Sequence, residues 1–328
     1  MRTLTRRLPV LAALLALAGS AAACGSTPAS TTGANNTSAT TAASGTGGTA
    51  ASTFPVSIAA ANGTVRVGSR PAAILSLSPT ATEMLYAIGA GSQVKAVDSD
   101  SDYPPQAPHT KLSAYQPNAE AIVAYKPDLV VESGDTGQLT KRLAAFSVPV
   151  LELPAPSNVA GEYAEFTELG RATGHLAQAQ QEVARLRAQL RQISAAAPHH
   201  AGPLTYYYEL DQTYYSVTSS TFVGQLLSLL GMKSIADKAA GAASAGGYPQ
   251  LSAEYIIKAN PDYIILADTI CCQQSAATIA KRPGWSGLTA VKRGHVIGLN
   301  DDIASRWGPR ITSLLRAVET AIAKGTSR

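Results

Sequence analysis

The hydrophobic pattern changes period several times along the chain, and two stretches of it repeat. Residues 118–131 read Asn-Ala-Glu-Ala-Ile-Val-Ala-Tyr-Lys-Pro-Asp-Leu-Val-Val, and residues 252–265 read Ser-Ala-Glu-Tyr-Ile-Ile-Lys-Ala-Asn-Pro-Asp-Tyr-Ile-Ile. Each predicts a short amphipathic helix starting near a glutamate (Glu120, Glu254), a stop at Pro127-Asp128 or Pro261-Asp262, and then an apolar strand. Proline lacks the donor a helix needs and pushes the preceding residue toward extended backbone, so helix gives way to strand at the same place twice. The approach repeats too: Met84-Leu85-Tyr86-Ala87-Ile88-Gly89 is echoed by Leu226-Leu227-Ser228-Leu229-Leu230-Gly231, each a helix end with glycine at the stop. The interval is too long for a solenoid period. It predicts an α/β fold of two lobes, each with a small parallel-rich sheet, and a cleft between lobes is where small ligands most often bind.

The remaining pattern fills in these lobes. Alternation on either side of Asn62-Gly63 predicts a hairpin, and residues 74–77 a buried strand. Ser78-Pro79 opens a helix, with Thr80 and Glu83 spaced as a capping box. Strands are expected at residues 94–97 and 148–151, with a helix at 139–146 between them. From residue 160 to 196, Leu176, Ala179, Val183, Leu186, Leu190 and Ile193 recur at helical spacing with arginines off the stripe. One long helix follows from this, about 50 Å if unbroken, with Gly174 the point where it would break. Further strands are expected at 204–208, 214–217 and 296–299, and a final helix after Pro309 with Ile311, Leu314, Leu315, Val318 and Ile322 on one face.

The N-terminus belongs to neither lobe. Arg2, Arg6 and Arg7 precede an apolar run at residues 8–18 and then small residues, the form of a signal peptide and too short to span a bilayer. Ala21-Ala22-Ala23-Cys24 resembles a bacterial lipoprotein box, although such boxes usually have leucine where Ala21 stands. An ordinary cleaved signal is the alternative. Residues 25–53 hold only Gly, Ala, Ser, Thr, Asn and one Pro. Such a segment buries too little to offset its ordering entropy, so a disordered tether is expected, which favours lipidation at Cys24. The organisation that results is a signal peptide at 1–23, a lipid-anchored linker at 24–53, an N-terminal lobe at 54–158, a connecting helix at 159–197 and a C-terminal lobe at 198–328.

Composition narrows the chemistry. A net charge of +4, with no basic run interleaved with aromatics, argues against nucleic acid. No nucleophile motif, zinc-helix motif or phosphate loop is present, so a catalytic role is not expected. The five histidines form no spaced cluster with carboxylates, and no metal site or cofactor is assigned. Thirteen tyrosines against four phenylalanines and two tryptophans stand out, because Tyr103, Tyr115, Tyr214, Tyr215 and Tyr248 fall in loops beyond the carboxyl ends of strands. A flat apolar face with a polar tip suits a large ligand of mixed polarity. Cys271 and Cys272 are adjacent in an exported chain. Their Cα atoms are only ~3.8 Å apart, so a bridge between them needs a strained peptide; a strained ring, two free thiols and a metal or ligand contact all stay open.

The motifs Leu77-Ser78-Pro79-Thr80-x-x-Glu83, Ser101-Asp102-Tyr103-Pro104-Pro105, Glu120 through Pro127-Asp128, Tyr248-Pro249-Gln250-Leu251-Ser252-x-Glu254, and Arg306 with Pro309-Arg310-Ile311 carry a resemblance. Over about residues 64–323 the chain resembles the substrate-binding proteins of ABC importers, of the class with two lobes joined by a long helix, and within it the vitamin B12-binding proteins. The resemblance implies a monomer that captures a large chelate, cobalamin first and an iron-siderophore or haem as alternatives, and delivers it to an ABC permease and its ATPase. It places Tyr103, Tyr115 and Tyr248 on the cleft, joined by Tyr215 from the loop reading, with Asp302 and Arg306 as polar contacts. Tyr115 and Tyr248 stand where the B12 binders have tryptophan, and the second-lobe disulfide of those proteins has no counterpart spacing here. In that family a pair of acids docks into arginine pockets of the permease, which implies this role for Glu120 and Glu254. On the residues alone, a carboxylate in a first helical turn is already favourable by ~0.3–1 kcal/mol. A secreted hydrolase and a tethered sensor are the readings from other classes.

Overall fold

The structure, a computed structural model, describes residues 53–326, so the expectations for the signal segment, Cys24 and nearly all of the tether lie outside the described residues. The chain opens with the expected hairpin, β1 (Val56–Ala60) antiparallel to β2 (Gly63–Val67). The Asn62 amide at its turn donates to the Val150 carbonyl at 2.9 Å and fastens the hairpin to the first lobe.

The first lobe runs β3 (Ile74–Leu77), α1 (Pro79–Ala87), β4 (Val94–Val97), α2 (Ala119–Val123), β5 (Leu129–Glu132), α3 (Leu139–Ala144) and β6 (Val150–Glu152). Its sheet is parallel in the order β4-β3-β5-β6. Two helices follow, α4 (Val159–Thr173) and α5 (Leu176–Ala196). The second lobe runs β7 (Leu204–Glu209), α6 (Phe222–Ser228), β8 (Met232–Ser234), α7 (Ala253–Ala259), β9 (Tyr263–Leu266), α8 (Ala276–Ala280), α9 (Thr289–Lys292), β10 (Val296–Gly298) and α10 (Asp301–Ser305), and α11 (Ile311–Thr326) closes the chain. Its sheet is also parallel, in the order β10-β9-β7-β8. Counted within each lobe, both sheets have the order 2-1-3-4. The repeated stretches fall on the same element of each, the helix and strand that form the third strand unit. The central strands β3, β5, β7 and β9 are almost wholly buried, which is why aliphatic and tyrosine side chains dominate them.

The repeat has a mechanical meaning in its Pro-Asp pair. Asp128 Oδ2 accepts from the Ala72 and Ala73 amides at 2.7 and 2.9 Å, just ahead of β3. Asp262 Oδ2 accepts from the Thr205 amide and hydroxyl at 2.8 and 2.7 Å, in β7. In both lobes one carboxylate thus ties the third strand to the start of the first. The residue before each proline is left-handed, Lys126 at φ 49° and Asn260 at φ 44°, where extended backbone was expected. Each closes its helix by a chain reversal, and a left-handed residue avoids the α region that a following proline disfavours.

The connector differs from a single helix over 159–197. Gly174 sits at φ +77° and ends α4, a conformation that costs a side-chain-bearing residue heavily. The chain then folds back as a helical hairpin. A Cβ at Gly170 would stand 2.5 Å from that of Ala179, and the Arg187 guanidinium lies 4.7 Å above the Tyr163 ring. The joining helix is therefore α5 alone, 21 residues and about 30 Å long, with Ala179, Leu186, Leu190 and Ile193 buried. The last helix buries Ile311, Leu314, Leu315, Val318 and Ile322 as expected. It begins beside Met84 of the first lobe, near Gly308, and ends beside Tyr263 and His295 of the second, near Gly325. Residues 214–217 do not form the strand expected there: Tyr214 is left-handed at φ 71° and turns the chain, leaving one bridge, Tyr215 to Gln250. Among the described residues no helix is long and apolar enough to cross a membrane.

The α4 helix also grips the segment leading into α11. The Trp307 indole donates to Glu165 at 2.8 Å, and the Gly308 amide donates to Glu162 at 3.1 Å. Burial pushes the Glu165 carboxyl up to about 8 and holds Glu162 well above the ordinary carboxylate range. A carboxyl whose folded pKa exceeds its unfolded value contributes stability that is complete below the unfolded pKa and is lost as pH rises through the folded one. Stability in chemical denaturation is therefore expected to fall as pH rises from about 4 toward 8. Glu132 and Asp268, pushed up to about 7 chiefly by burial, act in the same window. Accordingly Glu165→Gln should shrink the decline without abolishing it; an unaltered pH slope in that variant would remove Glu165 from the account.

Candidate functional site

The two lobes meet at a bridge built on one carboxylate. Glu83 lies on α1 with its side chain only 1% exposed. Arg310 approaches it with two nitrogens, Nε to Oε2 at 2.7 Å and Nη2 to Oε1 at 2.5 Å. Arg306, at the end of α10, places Nη1 3.3 Å from Glu83 Oε1 and 3.2 Å from Asp102. Its Nη2 reaches Asp302 at 2.7 Å and the Asp100 carbonyl at 3.1 Å. Sequence reasoning assigned Glu83 to a capping box and missed this role. The cap is made by Ser78, whose hydroxyl accepts from the Ala81 amide, and this leaves Glu83 free to face the far end of the chain. Only the closely spaced arginines Arg306 and Arg310 hinted at a counter-charge.

One of the tyrosines stands against the bridge. The Arg310 guanidinium covers the Tyr103 ring at 4.3 Å, and that ring remains 41% exposed. The loop carrying Tyr103 is anchored from below, where the Thr82 hydroxyl meets Ser76 at 2.9 Å and Ser101 at 3.0 Å, and Ser101 in turn donates to buried Asp98. Burial raises the Asp98 carboxyl above its ordinary range. On the second lobe, residues 214–217 lie antiparallel to residues 248–250, held by the Ser216 amide to the Pro249 carbonyl at 3.0 Å and the Leu251 amide to the Tyr214 carbonyl at 3.0 Å. Gly247 permits the turn into this pair: it has φ +91°, and a Cβ there would lie 2.7 Å from the Thr221 methyl. Tyr215 and Tyr248 thus share one short ribbon, 42% and 44% exposed. Tyr115 is 79% exposed in the loop before α2 and makes none of these contacts.

A second ion pair, also missed in the sequence, supports the ribbon from behind. Glu209 at the end of β7 is fully buried and takes both terminal nitrogens of Arg282 at 2.6 Å. Arg282 lies 4.7 Å over Trp285, and Trp285 stacks on Tyr214 at 5.8 Å. Beside them Asp268 is buried at the end of β9; burial and the neighbouring Glu209 charge push its carboxyl up to about 7. The structure therefore brings Tyr103, Asp302 and Arg306 together at the bridge and Tyr215 with Tyr248 on the ribbon. Asp302 and Arg306 are tied to each other and to the first lobe. A hollow of about 910 Å³ opens beside the bridge, lined by Glu83, Tyr103 and Arg310 together with Arg185, Gln189 and Arg316.

Glu120 and Glu254 are both exposed in the first turns of α2 and α7. Asn118 and Ser252 cap those helices, so neither glutamate is needed for that purpose. The Glu254 carboxyl is held below the ordinary range by hydrogen bonds from its own amide and from Ser252. Cys271 and Cys272 are free thiols in the turn after β9.

Comparison with known proteins agrees with this architecture. Residues 74–303 match the model of the periplasmic binding protein family. A vitamin B12-binding protein of Pectobacterium carotovorum is 32% identical over 274 residues, covering 78% of this chain and 91% of that protein. An uncharacterized ABC transporter substrate-binding lipoprotein of Bacillus subtilis is 29% identical over 268 residues, covering 79% and 82%. Among solved structures, a possible iron-binding periplasmic solute-binding protein from Staphylococcus epidermidis superimposes with a TM-score of 0.68 at 27% identity, over 77% of this chain and 99% of that one. With the doubled parallel sheets, the joining helix and the matched span in agreement, the chain belongs to the periplasmic binding protein family.

Proposed function

We propose that this chain is the extracytoplasmic substrate-binding subunit of an ABC importer, and that it captures a corrinoid such as cobalamin between its lobes. The observation that carries the reading is the set of half-exposed tyrosines, Tyr103 against Arg310 of the Glu83 bridge and Tyr215 with Tyr248 on the ribbon of the second lobe. Flat rings with polar tips suit the broad face and amide rim of such a chelate. The Pectobacterium relative, named a vitamin B12-binding protein, supports the choice of ligand. An iron chelate is the second reading, supported by the Staphylococcus structure described as possibly iron-binding. Asp302 and Arg306 would take part at the base of the cleft, with Tyr115 at its margin. Cys24 would carry the lipid anchor, in keeping with the lipoprotein name of the Bacillus relative.

The test is a titration of the purified protein with cyanocobalamin, a ferric siderophore and haem, followed by protein fluorescence. Saturable quenching by the corrinoid at the lowest concentration is expected. Replacing Tyr103, Tyr215 or Tyr248 by alanine should weaken that binding by about 1–3 kcal/mol each, the loss typical of an interface anchor. Three variants that fold normally and bind as the parent does would overturn the site.

Delivery needs a surface for the permease. Glu120 and Glu254 are exposed acids that the repeat places at equivalent positions, while the other equivalent pair, Asp128 and Asp262, is taken up by backbone amides, and two-fold placement suits a two-fold partner. The double variant Glu120→Ala with Glu254→Ala should bind ligand and melt as the parent does, while uptake in cells, or stimulation of the reconstituted transporter, is lost. Transport that survives in the double variant would exclude docking through this pair.

A further inference from the structure

The site described above makes no use of Cys271 and Cys272, although their setting is unusual. In a strand, successive side chains point to opposite faces. Here the pair sits in the turn after β9, just ahead of left-handed Gln273, and both sulfurs fall on one side. Their Sγ atoms are 2.7 Å apart, against the ~2.05 Å of a disulfide bond. Cys271 is exposed and Cys272 partly so, which leaves them open to a small reagent.

The turn is also fastened to the cleft. Asp301 at the head of α10 accepts from the Ile270 amide at 2.9 Å and the Cys271 amide at 2.8 Å. The next residue, Asp302, is the partner of Arg306 in the bridge between lobes. One acidic pair therefore connects the thiols to the bridge.

We propose that Cys271 and Cys272 are a redox-active vicinal pair, a modification site that closes to a disulfide and in closing loosens the turn from Asp301. The oxidant is a small-molecule or protein disulfide of the kind found outside the cytoplasm, where the family operates. One cysteine thiolate attacks the oxidant's disulfide, forming a mixed disulfide and expelling one thiolate. The second cysteine, after losing its proton, attacks the protein sulfur of that mixed disulfide and expels the other. Two protein S–H bonds are lost and one S–S bond forms; two electrons pass to the oxidant, which leaves as two thiols. The hydrogen bond to Cys272 first, then burial and the neighbouring Asp301, push the Cys271 thiol up to about 12. Adjacent Cα atoms ~3.8 Å apart are closer than an ordinary disulfide prefers, so the ring must twist the peptide between them. That peptide follows the Cys271 amide held by Asp301, and this is how ring closure reaches α10. Exposed or strained disulfides are the readily reduced ones, so the site is reversible.

Trypsin releases both cysteines on one peptide, residues 259–281, free of Cys24. The full-length protein is treated with oxidised glutathione or with dithiothreitol, then with iodoacetamide, digested and weighed. After oxidation the peptide should be unlabelled and lighter by two hydrogens; after reduction it should carry two labels. Hydrogen exchange at the amides of residues 270 and 271 should be faster in the oxidised protein, and Cys271→Ser should abolish the difference. Two labels after oxidation, or glutathione retained on either sulfur, would overturn the proposal. So would equal exchange at these amides in both redox states.

Discussion

One buried carboxylate holds the two halves of this protein in register. Glu83 comes from the first helix of the first lobe, and its partners Arg306 and Arg310 come from the end of the second, more than two hundred residues later. A charge buried to this degree is tolerable only while its partners are present, and removing one partner of such a group typically costs about 3–5 kcal/mol. The bridge does not act alone. Glu162 and Glu165 hold residues 307 and 308 between the two arginines, and α5 and α11 run alongside. The short segment 306–310 is therefore gripped by α1 and α4 together, and it fixes where the second lobe's loops stand relative to Tyr103.

This arrangement separates two duties that the sequence makes look alike. The charged groups at the lobe junction are largely paired with one another, whereas the tyrosines around them keep broad faces open to solvent. Tyr103 is steadied by Arg310, and Tyr215 and Tyr248 by a ribbon that Gly247 and the Glu209–Arg282–Trp285 group support from behind. A large ligand would find its shape-matching surface already built on rigid elements. That lowers the ordering cost of binding.

The doubled fold was legible because the repeat is more than local chemistry. Glu120 and Glu254, Pro127-Asp128 and Pro261-Asp262, and the glycine stops at Gly89 and Gly231 all fall at equivalent places in two sheets of identical order. The strands buried on both faces were legible for the same reason, since their apolar runs have no other use. What escaped was long-range or conformational. Glu83 has a spacing that also fits a capping box, and only the folded chain brings it to arginines near the other end. Tyr214 lies in a run that favours a strand by composition, but its left-handed backbone, set by the Asp211 turn before it, reverses the chain. The break at Gly174 was anticipated as a possibility in the pattern, yet the return of α4 along α5 depends on the close approach of Gly170 to Ala179, which has no periodic signature.

The account rests on a ligand seated between the lobes, against the tyrosines. The hollow beside the bridge, lined by α1, α5 and α11 and also by Tyr103, Pro104 and Gln106, is the competing location. Hydrogen exchange of the full protein with and without saturating cyanocobalamin distinguishes them directly. Protection is predicted in the loops around residues 100–116, 213–216 and 246–250, with the exposed faces of α5 and α11 unchanged. Protection of α5 and α11, with residues 213–216 and 246–250 unaltered, would contradict the assignment.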